Sequence, residues 1–96
     1  MLSEFTKQYR FAHCKKQMEE REIELDVEFL IYLAEKTEEE NVAIVLGTKE
    51  YLGNLNNVIL IIRDFYPVTV ECRRKTQSLN KNVLEVDNII YESISL

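Results

Sequence analysis

The stretch 58-VILIIRDFYPVTVECRR-74 constrains the fold more than any other part of the chain. Val58–Ile62 is apolar at every position and rich in β-branched side chains, as expected of a central strand covered on both faces. After a turn over Asp64–Pro67, Val68, Val70 and Cys72 alternate with Thr69, Glu71 and Arg73, the two-residue period of a strand with one buried face. This is the middle hairpin of a small sheet, and it ends in three successive cations, Arg73, Arg74 and Lys75.

Upstream the period is helical. Residues 3–20 read as a helix with Ser3 as N-cap ahead of Glu4. At 100° per residue, Leu2, Phe5, Tyr9 and Ala12 share one face, and Phe11, Cys14 and Met18 fall nearly opposite. Two apolar faces predict a helix gripped from both sides. Arg10, His13, Gln17 and Arg21 form a polar strip between them. A second helix fits 26–40, with Asp26 as N-cap and Val27, Leu30, Ile31 and Ala34 on its apolar stripe. The acids Glu38–Glu40 oppose the helix dipole at that end, so fraying or an earlier stop is expected there.

Strands are expected over 42–46, 58–63, 68–74 and 83–91, with turn-rich residues from Gly47 to Asn57 and a polar loop at 77–82. The order ααββββ implies one α+β domain over 1–96, with both helices on one face of a four-stranded antiparallel sheet. Ninety-six residues supply one core and not two.

Net charge is −5, which disfavours nonspecific nucleic-acid binding. The excess acid lies in the first half: residues 1–50 carry 7 Lys/Arg against 12 Asp/Glu, and residues 51–96 carry 5 against 5. It concentrates in 19-EEREIELDVE-28 and 38-EEE-40. Cys14 and Cys72 form no C-x-x-C pair, so neither a zinc site nor a disulfide framework is indicated and no cofactor is expected. Reduced thiols, no membrane-length apolar run and no signal-peptide layout at the N-terminus fit a cytoplasmic protein.

Two constellations bear on chemistry. His13 is the single histidine, a residue suited to acid–base work near neutrality, with Gln17 and Arg21 one and two turns away. As a bland alternative it is an ordinary surface histidine. Arg73 shares a strand face with Thr69 and Glu71, and such a cluster fits either a phosphate clamp or a charged sheet edge that limits aggregation.

The spacing His13–x4–Met18–x2–Arg21–x–Ile23 resembles the H-x4-M-x2-R-G-I opening of small bacterial domains. The stretch 59-ILIIRDFYPVTVECRR-74 resembles their strand pair, and 74-RKTQ-77 with 84-LEVDNII-90 is similar to small phage and bacterial proteins carrying the same hairpin. These domains belong to the superfold of barnase, EndoU, the tRNase colicins and RelE-type toxins. The resemblance implies a metal-independent ribonuclease, a toxin or host-takeover nuclease, in which a ribose 2′-OH attacks the adjacent phosphodiester. His13 would be its acid or base, Arg21 and Arg73 would stabilise the phosphate, and Thr69 would orient it. Arg74 and Gln77 would contact the RNA substrate. Where the motif has glycine after Arg21 this chain has Glu22, so the turn before the second helix is expected to differ.

Two other functions compete. A non-catalytic interaction protein of phage or mobile-element origin would bind a host protein through Glu19, Glu20, Glu22, Glu24 and Glu28, or mimic nucleic-acid charge with them. A homodimer would pair an exposed strand, either Val83–Tyr91 or Val42–Leu46, across a two-fold axis.

Overall fold

The computed structural model describes residues 1–75 and 82–96. Helix α1 spans Glu4–Glu20 and α2 spans Val27–Lys36. Five strands follow: β1 Val42–Tyr51, β2 Asn54–Arg63, β3 Tyr66–Arg74, β4 Asn82–Val86 and β5 Ile89–Ser95. They form one antiparallel sheet in the order β3-β2-β1-β5-β4. The α+β class holds, with a fifth strand. The span 83–91 is a hairpin and not one strand, because Asp87 and Asn88 both take left-handed φ (51° and 67°) and reverse the chain.

Among the described residues that turn is one of three alike. Leu52–Gly53 and Asp64–Phe65 also have both residues at positive φ, the conformation whose twist matches two-residue hairpins. The turn-rich reading of 47–57 therefore gives way to a long β1–β2 hairpin reversing only at Leu52–Gly53. Its polar tip is self-supporting: the Asn56 amide donates to the Tyr51 carbonyl (3.1 Å) and the Asn54 carbonyl (2.9 Å). Tyr66 and Pro67 belong to β3, and the extra residue Val68 makes a bulge opposite Ile61–Ile62.

The Ser3 hydroxyl caps α1, accepting from the Thr6 N–H at 3.1 Å. Only one of the two apolar faces of α1 is buried. Cys14 and Met18 enter the core with Phe11 beside them, whereas Phe5 and Tyr9 are 79% and 65% exposed. The helix is gripped from one side because the sheet has a single layer above it. Helix α2 ends at Lys36, before the acidic run, and Thr37 closes it by donating to the Ala34 carbonyl at 2.8 Å. Asp26 holds the N-cap position through its backbone carbonyl, which accepts from Phe29 N–H (3.1 Å).

The main core lies between helices and sheet: Cys14, Met18, Leu30, Leu33 and Ala34 pack on Ile44, Leu60, Ile62 and Val70. A smaller cluster of Ala43, Ile59 and Ile61 is buried on the opposite face under Val45, Val68 and Ile94. Both faces of β2 are thus covered, which accounts for its unbroken apolar run. Among the described residues no helix is long and apolar enough to cross a membrane.

Candidate functional site

The end of α1 is built as a Schellman motif. The Ile23 N–H donates to the Met18 carbonyl (2.9 Å) and the Glu22 N–H to the Glu19 carbonyl (3.2 Å), with Glu22 left-handed at φ 55°. The turn takes the conformation that glycine adopts most easily, with a glutamate in it. Ile23 packs partly buried against the cluster that contains Met18, and the acidic connector between the helices forms a lip beside β1.

Opposite this lip, Leu46 follows Val42 and Ile44 on the helix-side face of β1 by strand alternation, and the register shift between Val45 and Gly47 sets Gly47 on that face beside it. Lip and strand enclose an open groove of about 890 Å³. Its floor is apolar, from Met18, Ile23, Leu25, Leu46 and Val58; Glu19, Glu22 and Glu24 rim it. Lys49 ties the strand to the lip by donating to the Glu22 carbonyl at 2.9 Å. Smaller depressions that share Leu25 continue the surface toward Asp26, Glu28 and the exposed ring of Phe29. The Arg21 guanidinium is engaged by Gln17, through its backbone carbonyl at 3.4 Å and its side-chain amide oxygen. The groove therefore presents an apolar base under a rim of mainly negative charge.

The residues singled out for phosphate chemistry are distributed differently. His13 is half-buried on α1, its ring stacked on Tyr9 with centroids 6.2 Å apart. Thr69 pairs with Ile61 and Arg73 with Asn57, on the sheet face away from the helices, because Val70 and Cys72 between them point into the helix-side core. His13 and the pair Thr69–Arg73 are thus separated by the sheet. The Arg73 Nε donates to the Glu71 carboxylate at 2.7 Å, an ion pair along one strand face. Arg74 is exposed at the end of β3, and Gln77 lies outside the described residues. Arg10, of the predicted polar strip, binds the Arg63 carbonyl (2.9 Å) and the Asp64 carboxylate (3.5 Å), fixing α1 to the β2–β3 turn.

Both cysteines are free. Burial pushes the Cys14 thiol up to about 11, against a smaller opposing pull from Arg10, so it is a neutral core group at physiological pH. Among the described residues no group of three or more His, Cys, Asp or Glu side chains gathers as a metal site.

Two features escape a reading of the sequence. The floor of the groove needs Met18, Ile23, Leu46 and Val58 brought together from the end of α1, the connector after it and two strands, a meeting that no local period states. The exposure of Phe5 and Tyr9 depends on how many layers cover α1, which periodicity does not state. Comparison with family models, with curated proteins and with solved structures finds no match to the chain.

Proposed function

We propose that the chain is a non-catalytic binding module whose groove takes a basic, amphipathic segment of a partner protein. The observation that carries this is the apolar floor of Met18, Ile23, Leu25, Leu46 and Val58 beneath the acids Glu19, Glu22 and Glu24. Apolar anchors of a helix or extended segment would supply affinity on the floor. Lysines or arginines flanking them would meet the rim, speeding encounter and selecting register. Glu22 supports the reading from a second side. It occupies a left-handed position where glycine costs less, and a side chain held there against its preference is a candidate for function.

The ribonuclease reading calls for His13, Arg21, Thr69 and Arg73 around one phosphate, and the sheet stands between His13 and Thr69–Arg73. It therefore has less geometric support than the binding reading.

A fluorescent synthetic peptide alternating Lys and Leu at helical spacing is the probe. Its anisotropy should rise with added protein, weaken with salt, and fall back at least tenfold in affinity in Glu19→Lys/Glu24→Lys. Equal binding by that variant and wild type would refute the assignment. Cleavage of total RNA by the wild type but not by His13→Ala would replace it with the nuclease reading.

A further inference from the structure

The two edges of the sheet are treated unequally. Strand β3 carries several devices that block pairing with another chain: buried Pro67, the Val68 bulge, and exposed Arg73, Arg74 and Lys75 at its end. Strand β4 has neither a proline nor a cation within Asn82–Val86, and among the described residues no strand pairs with its outer side. On its outer face, large apolar side chains stand exposed beside Glu85: Val83 is 75% exposed and Ile90 is 70% exposed. Val42–Leu46, the other segment considered for dimerisation, lies in β1 between β2 and β5 and offers no free edge.

We infer that β4 is the pairing edge for a second copy of this chain, antiparallel across a two-fold axis at Leu84. An axis perpendicular to the sheet keeps each face continuous only when like-facing residues meet, so the axis must pass through a residue of β4. Centring it on Glu85 would set two carboxylates against each other. Centring it on Val83 would set Asn82 opposite the partner's Leu84. With Leu84 on the axis, each Glu85 meets a Val83 and the carboxylates are kept apart, while Asn82 is moved out to the ends of the pairing, opposite Val86, instead of lying beside the axis.

The same register continues the core. Leu84 pairs with Tyr91 within the chain, and both pack partly buried against the helix-side cluster. The dimer would line up Tyr91 and Leu84 with their symmetry mates as one apolar row. On the other face Glu85 pairs with Ile90, so its aliphatic stem would lie between Ile90 and the incoming Val83. Charge and apolar complementarity thus select the same register, and the occupant is another copy of the chain itself.

Sedimentation equilibrium of the full chain up to submillimolar concentration tests this, with circular dichroism to verify folding. Wild type should dimerise reversibly. Val83→Glu faces the partner's Glu85 twice by symmetry and should weaken the dimer about tenfold or more. Val83→Glu/Glu85→Lys converts both contacts to opposite charges and should restore it. A wild type that stays monomeric, or a double variant no tighter than Val83→Glu, would overturn the proposal. The substituted positions are exposed, and restored dimerisation cannot follow from a mere loss of apolar surface.

Discussion

The Tyr32 hydroxyl donates to the Asp87 carboxylate at 2.5 Å, joining α2 to the β4–β5 turn across 55 residues of chain. That hydrogen bond holds the Tyr32 phenol above its ordinary pKa, with partial burial and the Asp87 charge acting in the same direction. Asp87→Asn removes the charged acceptor, so the phenol titration followed by ultraviolet absorbance should move back down. Amide exchange should also quicken at 87–89 in Tyr32→Phe, because the helix then no longer tethers that turn. An unchanged Tyr32 titration in Asp87→Asn would show that the bond is not formed in solution.

Glu22 sets stability against binding. Glycine at this left-handed position removes the Cβ penalty, so Glu22→Gly should raise the unfolding free energy by about 1 kcal/mol. The same change removes one acid from the groove rim and should weaken the Lys/Leu peptide. Urea unfolding and peptide titration of the single variant should therefore move in opposite directions.

Cys14 predicts an alkaline limb. The unfolded thiol titrates near 9.0 and the folded one at about 11 because burial disfavours the thiolate. Above pH 9 the unfolded chain loses a proton that the folded chain keeps, which favours unfolding. The contribution is whole below pH 9 and is lost progressively toward pH 11, a loss of roughly 2–3 kcal/mol. Subtracting the pH dependence of Cys14→Ala from that of wild type isolates it from the tyrosines. Thiol labelling should modify half-buried Cys72 well before Cys14.

The parts of this fold that read clearly from the sequence are those where burial imposes a period. Val58–Ile62 is apolar throughout because clusters cover it on both faces, and Val70 and Cys72 share the helix-side face as their spacing predicts, whereas the bulge breaks the alternation at Val68 and puts it with the opposite cluster. The hairpin at Asp87–Asn88 is hidden because apolar residues flank it on both sides, and its turn pair is short beside that run. The β1–β2 tip is hidden for the opposite reason: it extends past the core, so its strands carry no apolar pattern. The separation of His13 from Thr69 and Arg73 was present in strand parity, since Val70 and Cys72 cannot face the helices unless Thr69 and Arg73 face away. The acidic run 19–28 was visible as charge, whereas the apolar floor beneath it required the tertiary meeting of Met18, Leu46 and Val58.

The most direct measurement is a set of two-dimensional nitrogen–proton spectra of the labelled full chain titrated with the Lys/Leu peptide. The groove account predicts shifts concentrated at 18–25 and 46–49, saturating together and lost at high salt. Shifts centred on the Phe5–Tyr9 face of α1, or the same pattern with a lysine-only peptide, would contradict it.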